Sequence, residues 1–255
     1  LTIAAAGSEM SNSCVITNEE GWYKKALDTD LARPKFAIMN PEITYTLPDY
    51  QTQCGCADIM MHTMERYFVL EDTMEITDKI AQDVMKNVMK YAKILKKDPE
   101  NYEARAEIMW CGSLSHNGLT GCGTCGGDWA THLIEHELGG MFDVAHGAGL
   151  AAVWGSWARY VMDEKPERFA QFAVDVMGVE ESDDVKSTAL KGIEAVEDFY
   201  RMIEMPTNLK ELGIDPTDEQ IKDMAMKATN HDTQQLGAFK KLSAKDLVEI
   251  YKAAK

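Results

Sequence analysis

Residues 132–146, HLIEHELGGMFDVAH, place three histidines and three acidic residues in fifteen positions. Imidazole and carboxylate groups are ligands of transition-metal ions. H-x-x-E-H is also the motif of one class of zinc peptidases, in which the glutamate is the general base. The segment therefore predicts either a hydrolytic zinc site built from His132, Glu135 and His136, or a different metal site that also uses His146.

A second pair of candidate ligands, Asp58 and His62, lies in the segment DIMMH. Residues four apart on a helix have Cβ atoms ~5–6 Å apart, so such a pair can bind one ion. His132 and His146 would be ~21 Å apart on an unbroken helix, too far for Zn–N distances of ~2.1 Å. The sequence offers a break at Gly139-Gly140 and Asp143. With that break, Asp58, His62, His132 and His146 form one predicted metal site.

The remaining histidines, His116 and His231, stand alone in the sequence. A lone histidine on a helix is usually a polar or hydrogen-bonded residue, and we assign these two no function.

The pattern of apolar residues divides the chain near Pro48. Before it, the apolar runs at residues 15–17 and 36–39 are bounded by Asn, Pro and Gly, which is typical of strands. After it, apolar residues recur at three- and four-residue spacing, which predicts helices. The predicted helices lie near 50–70, 76–95, 101–119, 128–141, 147–162, 166–178, 183–203, 217–228 and 243–254. Residues 119–127, with four glycines in nine positions, predict a loop.

The composition excludes several partners. The chain has 42 acidic and 26 basic residues, a net charge of −16, which argues against binding nucleic acid or an anionic membrane. No apolar run approaches the ~20 residues of a membrane span, and no basic region precedes an apolar stretch. We therefore expect a cytoplasmic protein with no membrane partner.

Six cysteines include two close pairs, Cys54/Cys56 and Cys122/Cys125. Such pairs occur in zinc and redox sites. Because cysteine is among the most buried residue types and disulfides are rare in the cytosol, we favour ordinary buried or half-buried thiols.

Several segments together resemble the iron-containing, group III alcohol dehydrogenases, particularly the butanol dehydrogenase branch. They are GCADIMMHTMERYF (55–68), GGDWATHLIEHELGGMFDVAHGAGLA (126–151), LTIAAAGSEM (1–10), RPKFAIMNPEITYTLP (33–48) and LGAFKKLSAKDLVEIYK (236–252). The resemblance implies a mainly α fold, the dehydroquinate synthase-like helical metal-binding domain, at 48–255. Residues 1–47 would be a small β-containing remnant of an N-terminal dinucleotide-binding domain.

The resemblance assigns roles to individual residues. In that family one Asp and three His hold a divalent metal, and these positions correspond to Asp58, His62, His132 and His146. His136 corresponds to a histidine that does not bind metal and lies beside the nicotinamide and substrate, as a candidate catalytic proton relay. Positions that contact the dinucleotide in relatives correspond to Thr2 and Lys24. At two further positions the chain differs from many relatives: Ala6 replaces a Thr and Ser11 an Asn.

The implied reaction is hydride transfer between a small alcohol or aldehyde and NAD or NADP. The metal, Fe2+ or Zn2+, would act as a Lewis acid on the substrate oxygen. A homodimer is also implied.

Residues 1–9 read as a strand running into a turn of small residues, so we expect an N-terminally truncated chain. The sequence contains neither a glycine-rich phosphate-binding turn after a strand nor an acidic residue placed to hydrogen-bond the ribose 2′-hydroxyl. We therefore expect incomplete cofactor binding by this polypeptide. Two alternatives stay open: the zinc hydrolase, and a non-catalytic metal-binding fragment.

Overall fold

The computed structural model describes residues 1–71 and 74–255. Its strands form one antiparallel hairpin, β1 (Ser13–Asn18) and β2 (Tyr23–Asp28), in which Ser13 pairs with Asp28 and Asn18 with Tyr23. The connecting turn uses positive φ angles at Gly21 (90°) and Trp22 (56°).

The predicted extended structure is confirmed at residues 15–17 and is wrong at 1–3 and 36–39, which form no strand. Residues 36–39 lie between Pro34 and Pro41 and leave Phe36 81% exposed and Ile38 74% exposed. In the described part of the chain β1 and β2 pair with each other and offer this segment no partner strand.

Helices make up most of the described chain after residue 48, which confirms the mainly α fold. Nine α-helices are described: α1 (Asp49–Tyr67), α2 (Glu75–Leu95), α3 (Tyr102–His116), α4 (Ala130–Phe142), α5 (His146–Val161), α6 (Pro166–Asp175), α7 (Val185–Met202), α8 (Asp218–Ala228) and α9 (Ala244–Ala253). Residues 119–127 connect α3 and α4 through one short 3-10 turn, as the glycines predict. The described helices include none with the length and apolar composition of a membrane span.

The helices form for ordinary reasons of spacing and capping. On α2 a buried stripe follows the four-three spacing of one helical face: it comprises Ala81, Met85, Val88, Ala92 and Leu95. At the N-termini of α8 and α9, capping boxes pair Thr217 with Gln220 and Ser243 with Asp246.

Helix α1 lies at the centre of the domain and packs against α2, α3 and α5. It is buried on nearly all sides, so the carboxylates of Asp58 (3% exposed) and Glu65 (1% exposed) lie inside the protein. The start of α5 lies directly against α1 at Gly147, where a Cβ atom would be 2.0 Å from the carbonyl oxygen of Cys54. This close approach brings His146, the preceding residue, to Asp58.

The six thiols are free. Three of them are buried and Cys14 is half-buried, as predicted; the buried ones are Cys54, Cys56 and Cys111. Burial raises the pKa of the Cys56 thiol to about 12, so it is unreactive at neutral pH. The prediction is wrong for Cys122 and Cys125, which are exposed because their glycine-rich loop supplies few side chains to cover them.

A buried ion pair links α6 to α1 and α2. The Arg168 guanidinium donates to both oxygens of Asp78 at 2.6 and 2.7 Å and to the carbonyl of Tyr67 at 2.7 and 2.9 Å. The Arg168 and Asp78 side chains are only 2% and 8% exposed. Because both side chains are shielded from water, each buried charge is compensated mainly by the other.

We expect Arg168→Ala to lower the free energy of unfolding by about 3–5 kcal/mol, because it leaves the Asp78 carboxylate buried and unpaired. Urea denaturation measures the change. The matched control is Arg159→Ala, which removes a bidentate pair with Glu197 from a side chain that is 40% exposed and should cost about 0–1 kcal/mol. Equal losses in the two variants would contradict the prediction.

Candidate metal centre

Three helices bring the four predicted ligands together. Asp58 and His62 lie one turn apart on α1, His132 is the third residue of α4, and His146 is the first residue of α5. The chain reverses at Asp143, whose φ of 53° ends α4. The predicted break at Gly139-Gly140 is wrong, since both glycines lie inside α4.

Possible ligand atoms of Asp58, His132 and His146 lie within 4.8 Å of one another, and His62 Nε2 lies beside two of them. Asp58 Oδ1 is 3.4 Å from His62 Nε2, 3.8 Å from His132 Nε2 and 3.6 Å from His146 Nε2. The Nε2 atoms of His62 and His132 are 3.2 Å apart. Four ligands at ~2.0–2.1 Å from a tetrahedral ion are about 3.4 Å apart. The site therefore has the dimensions to hold one divalent ion.

One oxygen of the Asp58 carboxylate lacks a hydrogen-bond donor. Its Oδ1 atom is buried and accepts no hydrogen bond from the described residues, although an isolated buried charge is costly. An Asp/His3 donor set is one that both Fe2+ and Zn2+ accept. The residues present fit such an ion.

The charges in the site respond to one another. Burial alone would lower the pKa of His132, but the carboxylates of Asp58 and Glu65 outweigh it and raise that pKa to about 9. Burial and the neighbouring imidazoles lower the pKa of His62 well below its usual value. Without a cation, the raised pKa favours the protonated form of His132, and a binding ion must displace that proton.

Glu65 holds His132 in place and was missed in the sequence. Its Oε1 accepts from His132 Nδ1 at 3.1 Å and from the His132 backbone N–H at 3.0 Å, and its Oε2 accepts from the Trp129 N–H at 2.7 Å. Trp129, the N-cap residue of α4, offers no side-chain cap, so Glu65 caps this helix from α1. The available signal was its position seven residues after Asp58 and three after His62, on the same helical face.

His116 also belongs to this site, contrary to the reading of it as an isolated histidine. Its ring centroid is 3.7 Å from that of His62, and its Nδ1 lies 2.8 Å from Ser115 Oγ and 3.0 Å from the Gly112 carbonyl. Burial lowers its pKa to about 4, so the ring is neutral. No spacing in the sequence connects it with the metal ligands. His231 lies in an exposed turn.

A cavity of about 580 Å³ opens onto the imidazoles. Its lining includes His62, His132, His136 and His146, with Lys24 from β2 and Trp129 on other sides. Ala6 and Ser11 also line it, whereas Thr2 is exposed on the N-terminal segment. The cavity has the size of a small-molecule site.

His136 lies beside the ligands, with its ring centroid 5.8 Å from that of His146. It is 7% exposed, and burial lowers its pKa to about 3. At neutral pH the ring is therefore neutral, with one nitrogen that donates and one that accepts.

Glu135, the general base of the hydrolase alternative, is engaged elsewhere. It is fully buried and accepts hydrogen bonds from Lys24 and His146. Glu135, His136 and His146 also place possible ligand atoms within 4.8 Å of one another, but the Lys24 ammonium 3.2 Å from Glu135 disfavours a cation there. Pairing of Glu135 Oε2 with Lys24 and His146 therefore disfavours Glu135 as the general base of a peptidase.

Comparison with known proteins gives consistent matches. The sequence model of the C-terminal part of the Fe-containing alcohol dehydrogenase family matches residues 52–255. The NADH-dependent butanol dehydrogenase A of Clostridium acetobutylicum is 35% identical over 253 residues, covering 99% of this chain and 64% of the relative. The NADPH-dependent aldehyde reductase YqhD of Escherichia coli is 33% identical, covering 100% of this chain and 65% of the relative.

A solved structure agrees with these matches. The crystal structure of NADH-dependent butanol dehydrogenase A from Thermotoga maritima superposes with a TM-score of 0.93 at 35% identity, covering 100% of this chain and 64% of the other. The chain thus spans about two thirds of the length of the proteins it matches.

Proposed function

The chain belongs to the Fe-containing alcohol dehydrogenase family, and we propose that it carries the metal site of an enzyme that interconverts a small alcohol and its aldehyde with NAD(H) or NADP(H). The observation that supports this most is the convergence of one buried carboxylate and three imidazoles beside a cavity. The named relatives use NADH in one case and NADPH in another, so either nucleotide fits the proposal.

Asp58, His62, His132 and His146 would hold the ion, Fe2+ or Zn2+, which when bound supplies Lewis acidity toward the alcohol or carbonyl oxygen. With Asp58 as the single carboxylate among three neutral imidazoles, a bound divalent ion would keep one net positive charge. The nicotinamide would supply or accept the hydride.

The chain's own residues orient and enclose the reactants. His136, on the cavity wall, is the proposed proton relay, because a neutral imidazole ring carries one donor and one acceptor nitrogen. Lys24, which also lines the cavity, and the exposed Thr2 are the proposed contacts to the dinucleotide. A homodimer is proposed as well.

Reduction of butanal by the full-length gene product, followed by the loss of reduced-nicotinamide absorbance, tests the function. We expect turnover with NADH or NADPH that a chelator abolishes and that Fe2+ or Zn2+ restores, because the substrate oxygen depends on the ion. Peptide hydrolysis by the same preparation is the control for the peptidase alternative. Turnover that persists after complete removal of metal would contradict the proposal, as would metal-dependent peptide cleavage without reductase activity.

A further inference from the structure

Glu135 carries a charge inside the protein that the proposed reaction does not use. Its side chain is fully buried in α4. One oxygen, Oε2, accepts from Lys24 Nζ at 3.2 Å and also from His146 Nδ1 through a short hydrogen bond. A single carboxylate oxygen thus joins β2, α4 and α5.

The fold keeps room for this arrangement by means of two glycines. A Cβ atom at Gly139 would lie 2.5 Å from Lys24 Nζ and 2.9 Å from Glu135 Oε1. At Gly149 on α5 it would lie 2.8 Å from Glu135 Cγ. Any larger residue at either position would displace the carboxylate or its partner.

The charge balance explains why the carboxylate is stable there. Two donors face its Oε2 atom, Lys24 Nζ at 3.2 Å and His146 Nδ1. A buried carboxylate needs a cationic partner and hydrogen-bond donors. Lys24, whose side chain is 16% exposed, supplies the nearby positive charge.

The arrangement determines which nitrogen of His146 is free. Glu135 Oε2 already accepts from Lys24 Nζ, so it also acts as the acceptor in its hydrogen bond with His146, and Nδ1 of His146 carries the proton. Nε2 is then the nitrogen with the lone pair, and it lies 3.6 Å from Asp58 Oδ1. The ring is held in the tautomer and the orientation that a metal ligand requires.

We propose that Glu135 is a positioning residue of the metal centre, which fixes the Nδ1–H tautomer and the orientation of His146, with Lys24 as its charge partner. The metal-dependent part rests on the proposed function, whereas the tautomer does not. Lys24 thereby has a role in the metal centre besides its proposed contact with the dinucleotide.

Zinc affinity, measured by competition with a chromophoric chelator, tests the role in metal binding. Glu135→Leu should weaken Zn2+ binding by about 10- to 100-fold, the usual effect of losing the hydrogen-bond partner of a ligating histidine. Glu135→Gln keeps an acceptor for Nδ1–H and should lose less. Lys24→Met should fall between Glu135→Gln and Glu135→Leu.

The neighbouring pair Lys25–Glu137 supplies matched controls. It links the same strand and helix, with a 3.5 Å contact and a Glu137 side chain that is 2% exposed, but it does not contact a predicted metal ligand. Glu137→Leu and Lys25→Met should leave the Zn2+ affinity unchanged. Weakening of the same size in these controls would overturn the proposal.

The ¹⁵N chemical shifts of the His146 ring test the tautomer without metal and without activity. At alkaline pH the wild-type protein should show a protonated Nδ1 and an unprotonated Nε2, and Glu135→Gln should broaden or shift that signature; His146→Gln assigns the signals. A proton on Nε2 in the wild type, or unchanged Zn2+ affinity in Glu135→Leu, would overturn the role of Glu135. The predicted tautomer in a protein that binds no divalent ion would refute the proposed function and the metal-dependent part of the proposal, and would leave only the control of the His146 tautomer by Glu135 standing.

Discussion

Replacing His132 with alanine should remove most of the metal from a protein that otherwise carries about one divalent ion per chain. His132 Nε2 lies 3.2 Å from His62 Nε2 and 3.8 Å from Asp58 Oδ1, so it is a neighbour of two other proposed ligands. Without it the site keeps at most three donors. The Glu65 carboxylate, which now accepts from His132 Nδ1, would also lose a partner and disturb the start of α4.

Elemental analysis after loading with Fe2+ or Zn2+ and gel filtration measures the ion content. His136→Ala should keep the ion, because His136 is not one of the four converging residues, and the exposed His231→Ala is the control for loss of any imidazole. Release of the ion by His136→Ala, with retention in Asp58→Asn, would instead favour the peptidase arrangement of His132 and His136.

The helices, and the placing of Asp58 and His62 one turn apart, were readable from the sequence because both depend on local spacing. Four-residue spacing places Asp58 and His62 on one face of α1 wherever that helix packs. The reversal before His146 was predicted correctly at Asp143 and wrongly at Gly139-Gly140. Gly139 and Gly140 were read as helix breakers, whereas they serve as close contacts to Lys24, Glu135 and the Trp22 carbonyl within an unbroken helix.

What the sequence did not reveal depends on contacts between distant residues. Glu135 and Lys24 are 111 positions apart, and the bond between them exists only because β2 packs on α4. His116 meets His62 because α3 packs on α1. No regular spacing in the sequence connects the members of either pair. Their contacts therefore could not be predicted from the sequence alone.

A polypeptide of these 255 residues alone should bind metal yet fail to turn over alcohol or aldehyde with either nicotinamide cofactor. Hydride transfer needs reacting atoms ~3–3.5 Å apart, and holding them there supplies much of the rate. Dinucleotide pyrophosphates are usually held by a glycine-rich turn between a strand and a helix N-terminus. In the described ranges the strands form a hairpin, and the glycine-rich loop at 119–127 follows helix α3 instead.

The remaining candidate contacts to the dinucleotide are too few to replace a glycine-rich turn that binds the pyrophosphate. Thr2 is exposed, and the ammonium of Lys24 is paired with Glu135. Joining the polypeptide to the part of the Clostridium acetobutylicum relative that it does not match should therefore produce butanal reduction in a spectrophotometric assay. The same fusion with His132→Ala should stay inactive. That result would show that the butanal reductase activity of the fusion depends on the metal centre. Turnover by the 255-residue polypeptide at the rate of the fusion would contradict the prediction, because the cofactor would then be bound by residues of this chain other than Thr2 and Lys24.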